Sequence, residues 1–286
     1  MKIDLHIHTS TGSDGALSLE EVFKEAARRK IDFIAITDHD AIDHQEQAVK
    51  LAAAHGITGI SGVELNVIFT YQGKSVSLDF LGYGYDPLNS ALRQKLRLIR
   101  EHREKRARQI IANLNDEFIK QGRPLSLFTD ADQARMQKEI DGVLSRPHIA
   151  DYLVKKGIVA SRQEAFDKYL VKCDVPKYPL PLEEAAALIK GAGGKIALAH
   201  PNDPNGTSLV SVTKNAAEQT EIIKKNMMEY IDGVECWHSR NDKATTLHYI
   251  EFCRRNKLLM TGGSDCHQKP ILMGSLEIPD FVAGQF

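Results

Sequence analysis

A chain of 286 residues is long enough for one barrel-sized domain, or for a core domain carrying an insertion of a few tens of residues. Its 42% hydrophobic and 26% charged content excludes a disordered chain, and 37 Lys and Arg against 38 Asp and Glu exclude a general attraction to nucleic acid or anionic lipid. No stretch is apolar for the length of a membrane span, Asp4, His6, His8 and Asp14 stand where a signal peptide needs apolar residues, and the four cysteines form no C-x-x-C pair. A cytoplasmic protein with reduced thiols and no membrane partner is the expectation, and the pattern carries no signal for oligomeric state.

The first segment, IDLHIH, alternates Ile3, Leu5 and Ile7 on one face of an extended strand with Asp4, His6 and His8 on the other. Two imidazoles two residues apart on a strand project side by side, an arrangement that suits a metal ion. SLEEVFKEAARRK follows as a helix, with Ser18 as N-cap, Glu21 completing a capping box and basic residues at the negative end of the dipole. Further strands are expected at DFIAITDHD, GITGISGVE, SLDFLGYG, GKIALAHP, YIDGVECWHS and KLLMTGGSDCH, while PLEEAAALIKGAGG reads as a helix with proline before it and glycines after it. Strand then helix, repeated, predicts a parallel α/β fold.

Between residues 90 and 178 this rhythm stops. One long charged helix, ALRQKLRLIREHREKRARQIIANLNDEFIKQG, and shorter helical stretches such as SRPHIADYLVKKG and SRQEAFDKYL predict a helical insertion over 90–178 that covers the active site. Residues 1–89 and 179–286 remain for the barrel, and Pro176, Pro179 and Pro181 make an extended connector back to it.

In (β/α) barrels catalytic groups stand where strands end, because the loops there enclose one shared cavity. Those positions here hold His6 and His8, then Asp38, His39 and Asp40, then Glu64, Asp79, His200, and finally Asp265 and His267. Any one alone is most simply a cap or a hydrogen-bonded loop residue. Together, so many imidazoles and carboxylates would repel or stay unsatisfied unless a cation held them. The pleat gives Asp265 and His267 one direction and Cys266 the other, so the thiol packs rather than ligates. Imidazole and carboxylate without thiolate fit Mn2+, Fe2+ or Zn2+, and the number of ligands calls for two or three ions with Glu64 as bridge.

The motifs DLHIHT, SDG, ITDHD, GVE, ALAHP and GGSDCH resemble, in order and spacing, those of the PHP (polymerase and histidinol phosphatase) metal-dependent phosphoesterases, from residue 3 to about 270. The resemblance implies a distorted (β/α)7 barrel, related to the TIM barrel, with the helical insertion. It implies that His6, His8, Glu64 and Asp265 hold one ion, that Asp14, His39 and His267 hold another, and that Glu64, His200 and Asp79 contribute to a third. The family usually has histidine where this chain has Asp79, and the HTSTGSDG loop is one residue longer than the common form. The insertion, with RPHIADYLVKKG and a following KYL, resembles that of a branch acting on short RNA 5′ ends or on 3′,5′-bisphosphonucleotides. A phosphorylated small molecule or short nucleic acid is the implied substrate, and Arg146 is implied to lie over the site.

The expected reaction is hydrolysis of a phosphate ester by metal-activated water, with no protein nucleophile. Near the strand ends, His238 is the imidazole left to protonate the leaving group, and Asp38 and Asp40, flanking His39, can orient ligands or accept a proton. Arg146 suits bidentate phosphate binding and His148 can join it. Arg103 and Arg106 sit on a basic helix whose simpler reading is a solvated face paired with Glu101 and Glu104, with admission of a short, highly charged nucleotide as the alternative. Trp237 can stack a base, though packing is the simpler reading. The competing readings are a histidinol-phosphatase-like phosphatase, an amidohydrolase-type metallohydrolase, whose frequent strand-end lysine bridge has no counterpart here, and a non-catalytic metal-binding module.

Overall fold

The apolar stretches become seven strands, and the computed structural model, which describes residues 1–122, 128–138 and 144–286, arranges them in one sheet in chain order. They are β1 (Ile3–Asp4), β2 (Phe33–Ile36), β3 (Thr58–Tyr71), β4 (Lys74–Tyr83), β5 (Lys195–Leu198), β6 (Gly233–His238) and β7 (Leu259–Gly263). Beyond β1 the chain stays extended and meets the end of β7: the Leu5 N–H donates to Gly262 O at 3.1 Å and the His8 N–H to Cys266 O at 3.2 Å. These bonds nearly close the sheet into a barrel, so His6 and His8 lie on its seam.

The parallel expectation holds for four neighbouring pairs and fails at β4, which runs antiparallel to both β3 and β5. The reason is local: only Gln72 and Gly73 separate β3 from β4, both with positive φ (49° and 76°), as a tight two-residue hairpin turn requires. A parallel pair needs a crossover of a dozen residues or more. The hairpin also moves two expected strand-end residues, since Glu64 and Asp79 lie inside long strands and Asp79 faces Asn66 in register.

Helix α1 (Leu19–Arg28) has the anticipated capping box, the Ser18 N–H donating to Glu21 Oε2 at 2.8 Å. With α2 (Gln45–Ala54), it buries Leu19, Val22, Phe23, Ala26, Ala48 and Ala52 against Ile34 and Ile36. Inside the barrel, Leu5, Phe33, Ala35, Leu81, Tyr83 and Ala197 pack with Val282 of the final 3-10 turn, Asp280–Gln285. Trp237 packs partly buried against this cluster and meets Phe281 edge-on at 6.3 Å, so it serves the core. Cys266 is buried beside Ile7 and Met273.

Two compact units divide the chain: Met1–Leu96 with Pro179–Phe286, and Arg97–Tyr178. The helical unit therefore begins at Arg97 and not at residue 90, because the first turns of α3 (Ser90–Lys120) bury Leu92 and Leu96 and pair Lys95 with Glu184 at 2.5 Å. The remaining barrel helices are α7 (Leu182–Gly191), α8 (Ala216–Asn226) and α9 (Lys243–Asn256). In the helical unit, α4 (Asp130–Lys138), α5 (Arg146–Lys155) and α6 (Arg162–Ala165), which runs into a π turn over Phe166–Leu170, follow α3. Ile111, Leu114, Phe118, Ile149, Leu153 and Leu170 give this unit a core of its own, and no strand occurs among its described residues.

Candidate metal centre

Four donor atoms meet at the barrel seam. His6 Nε2 and His8 Nε2 lie 3.1 Å apart, Glu64 Oε2 is 3.5 and 3.2 Å from them, and Asp265 Oδ1 is 3.4 Å from each. The hydrogen bonds behind the rings assign the tautomers. His6 Nδ1 donates to Glu235 Oε1 at 3.0 Å. His8 Nδ1 points to Ser13 Oγ at 3.4 Å, and that hydroxyl gives its own proton to Asp38 Oδ1 at 2.6 Å. Each ring therefore turns its Nε2 toward the other and toward two carboxylate oxygens; burial would depress the His6 imidazole, but the charges of Glu235, Glu64 and Asp265 hold it well above its ordinary value. Tetrahedral ligands about 2.0–2.2 Å from a divalent cation lie roughly 3.3–3.6 Å from one another, so the spacing of the two imidazoles from each other and from each carboxylate suits a metal ion.

Glu64 faces three ways. Its Oε2 also lies 2.9 Å from His39 Nδ1, while Oε1 is 3.0 Å from His200 Nε2. On one side His8, Asp14, His39 and His267 gather, with Asp14 Oδ1 at 3.8 Å from His39 and 3.5 Å from His267, and the His8 and His267 rings stacked at 3.8 Å. On the other side Glu64, Asp79 and His200 converge, Asp79 Oδ2 lying 3.9 Å from His200 Nε2. All nine residues expected as ligands are thus brought into one region of the barrel.

Bent backbone aims several of these groups. Asp40, His200 and Asp265 have φ of 51°, 23° and 52°, a region that non-glycine residues adopt at an energetic cost and that clusters at functional sites. Electrostatics match the crowding. Burial alone would depress the His200 imidazole, but the hydrogen bond and charge of Glu64, with Asp265 and Asp79, lift its pKa to about 9. For His267 burial is likewise outweighed, by the charges of Asp265 and Asp14, and its pKa rises to about 10. Burial would raise the carboxyl of Glu64, yet His39 and His6 hold it well below the usual range, and His267 and His6 do the same to Asp265.

The hydrogen bonds of the three groups expected to act in catalysis show what each one holds. Asp38 is fully buried and accepts from the Thr9 N–H and hydroxyl at 2.6 Å each and from Ser13, with His44 Nε2 2.8 Å away, so it fixes the loop that carries His8 and Asp14. Asp40 accepts the Asn66 N–H at 3.2 Å beside His39. His238 accepts the Arg240 N–H on Nδ1 at 3.3 Å and directs Nε2 to Asp265 Oδ2 at 3.3 Å, an arrangement that orients Asp265.

Sequence reading missed Glu235, whose second oxygen accepts the His200 N–H at 2.7 Å, and Asp203 and Arg240. Arg240 bonds to Asp203 and reaches Asp265 Oδ2 at 3.5 Å, its side chain 39% exposed. Each stands two or three residues from a recognised histidine: Asp203 after His200, Arg240 after His238, Glu235 before it. That proximity was the available signal.

The expected phosphate-binding groups lie in the helical unit. Arg146 Nη1 bonds to Asp174 Oδ2 at 2.7 Å and its guanidinium is 5.5 Å from the Phe166 ring centroid. Arg106 bonds to the Val175 carbonyl at 2.6 Å and to the same Asp174. Arg103 precedes it on α3, and His148 accepts the Ser145 N–H at 3.1 Å at the start of α5. Two arginines on one carboxylate leave that cluster with net positive charge.

A profile of the PHP domain matches residues 4–92. The chain is 38% identical over 203 residues to a 3′,5′-nucleoside bisphosphate phosphatase of Chromobacterium violaceum, covering 70% of this chain and 66% of that protein. It is 33% identical over 207 residues to a 5′-3′ exoribonuclease of Haemophilus influenzae, covering 70% of this chain and 69% of that one. The chain belongs to the PHP domain family. The crystal structure of a candidate metal-dependent phosphoesterase from Bifidobacterium adolescentis shares the fold, with a TM-score of 0.81 at 27% identity over 99% of this PHP-domain chain and 94% of that one. As a PHP-domain protein the chain is a metal-dependent hydrolase of phosphoester bonds.

Proposed function

We propose that the chain hydrolyses a phosphate ester of a nucleotide, a 3′,5′-bisphosphonucleotide or a short oligonucleotide. Two or three divalent ions (Mn2+, Fe2+ or Zn2+) are held by His6, His8, Asp14, His39, Glu64, Asp79, His200, Asp265 and His267. The observation that carries the reading is that His6 Nε2 and His8 Nε2 lie 3.1 Å apart and each lies within 3.2–3.5 Å of both Glu64 Oε2 and Asp265 Oδ1. Ions held there would supply Lewis acidity, activating water as the nucleophile and neutralising charge on the phosphoryl group.

The chain's own groups position this machinery. Glu235 and Ser13 keep His6 and His8 in the tautomers that bare Nε2, and His238 turns Asp265 Oδ1 inward. Arg240, fixed by Asp203 and partly exposed, is the cation suited to clamp a phosphoryl oxygen. Arg146, with His148, Arg103 and Arg106, is assigned to the second phosphate or the RNA backbone, a substrate class supported by the names of the two relatives. A cytoplasmic setting accords with four free, buried cysteines, and among the described residues no helix is long and apolar enough to cross a membrane. An amidohydrolase reading finds no buried lysine among the described residues to bridge its ions.

A Mn2+-supplemented screen of 3′,5′-bisphosphonucleotides, mononucleotides, short RNA, sugar phosphates and an anilide tests the proposal. Turnover of the bisphosphonucleotide or the RNA, abolished by chelation, is expected. Preference for simple sugar phosphates, or cleavage of the anilide, would overturn it.

A further inference from the structure

The three corners of the centre differ in donor chemistry. His8, Asp14, His39 and His267 offer three imidazoles and one carboxylate, whereas Glu64, Asp79 and His200 offer two carboxylates and one imidazole. Imidazole suits Zn2+ and Fe2+, and carboxylate oxygen suits Mg2+ and Mn2+. We propose that Asp79, positioned by Asn66 and Ser77, makes the His200 corner a seat for a hard divalent cation, Mn2+ or Mg2+, chemically distinct from the imidazole-rich seat of His8, Asp14, His39 and His267. The inference rests on the metal-dependent reading above and adds selectivity to it.

The side chains behind Asp79 determine what it can offer. Asn66 stands opposite it in the β3–β4 register and donates from Nδ2 to Asp79 Oδ1 at 2.5 Å. The Asn66 Oδ1 accepts the Ser77 hydroxyl at 2.9 Å, which fixes the end of the amide that faces the carboxylate. With Oδ1 engaged, Asp79 presents Oδ2 to the corner, where His200 Nε2 lies 3.9 Å away and itself sits 3.0 Å from Glu64 Oε1. Asp79, Glu64, His200 and Asn66 are all buried, so water does not substitute for these donors. Three protein donors leave coordination positions open for water or substrate oxygens, which matches the octahedral, water-retaining habit of Mg2+ and Mn2+. Asp79 is thus the selectivity-determining residue and Asn66 a positioning residue.

Metal counting tests this without reference to turnover. Protein loaded with Zn2+ and desalted is titrated with Mn2+, uptake being read from loss of the free Mn2+ electron paramagnetic resonance signal and total metal from mass spectrometry. The wild type is expected to take up one further Mn2+ per chain. Asp79→His should retain an additional Zn2+ in its place and bind Mn2+ at least about tenfold more weakly, and Asn66→Ala and Ser77→Ala should weaken Mn2+ about tenfold with the Zn2+ count unchanged. Ser77 is only half-buried, so its variant carries the test if Asn66→Ala does not fold. The proposal is overturned if the wild type fills this corner with Zn2+ as readily as with Mn2+. It is also overturned if Asp79→His changes neither count, or if the Ser77 variant binds Mn2+ like the wild type. Correct metal counts without turnover of any nucleotide would overturn the proposed function alone.

Discussion

Glu235 shows how one side chain governs the centre. One oxygen fixes the tautomer of His6 and the other anchors the backbone of His200, joining two ligands that are far apart in the chain. Glu235→Gln must turn an N–H2 toward one of these donors, so the variant is expected to bind Zn2+ or Mn2+ about 10–100-fold more weakly, measured by competition with a chromophoric chelator. The pH dependence of metal uptake follows from the same crowding. With pKa values raised to about 9 and about 10, His200 and His267 are protonated near neutrality in the metal-free chain, and an incoming ion must displace those protons. Affinity should therefore rise with pH from 6 toward 9 and fall on acidification. Calorimetry in buffers of different ionisation enthalpy should register proton release, and uptake without release would contradict the assignment.

At the scale of elements, the seam between the β1 segment and β7 sets the geometry of His6. A Cβ at Gly263 would lie 2.3 Å from the His6 nitrogen and 2.4 Å from its Cβ, so only glycine lets the two backbones approach this closely. Gly263→Ala should push β7 off the seam, lower stability by about 1–3 kcal/mol in thermal or urea unfolding, and reduce the number of ions retained. The β3–β4 hairpin teaches a related lesson. GITGISGVE and SLDFLGYG were recognisable as strands, but Gln72 and Gly73 fixed their mutual direction, and that direction places Asp79 inside a strand opposite Asn66.

Across the whole molecule, two units carry separate apolar cores, one around Leu5, Phe33 and Tyr83 and one around Leu114, Phe118 and Leu153. The proposed metal ligands all belong to the first. Calorimetric unfolding should therefore show two transitions. Mn2+ at a hundredfold excess over its Kd should stabilise the barrel by about 2.7 kcal/mol and leave the helical transition in place. Equal shifts of both would refute the separation.

The sequence alone determined which histidines and acids gather in the barrel, the strand segments, the helices with clear caps and the break in rhythm after residue 89, because each is written in neighbouring residues: alternating faces, caps, and histidines or aspartates at the ends of apolar runs. It was also enough to show Cys266 turned away from the ligands on either side. Only the tertiary structure decided that β4 runs antiparallel, that His238 supports Asp265, that Arg106 and Arg146 share Asp174, and that Glu235, Asp203 and Arg240 join the centre. Those facts depend on contacts between residues distant in the chain, and a single carboxylate or arginine has no local period by which to announce its partner.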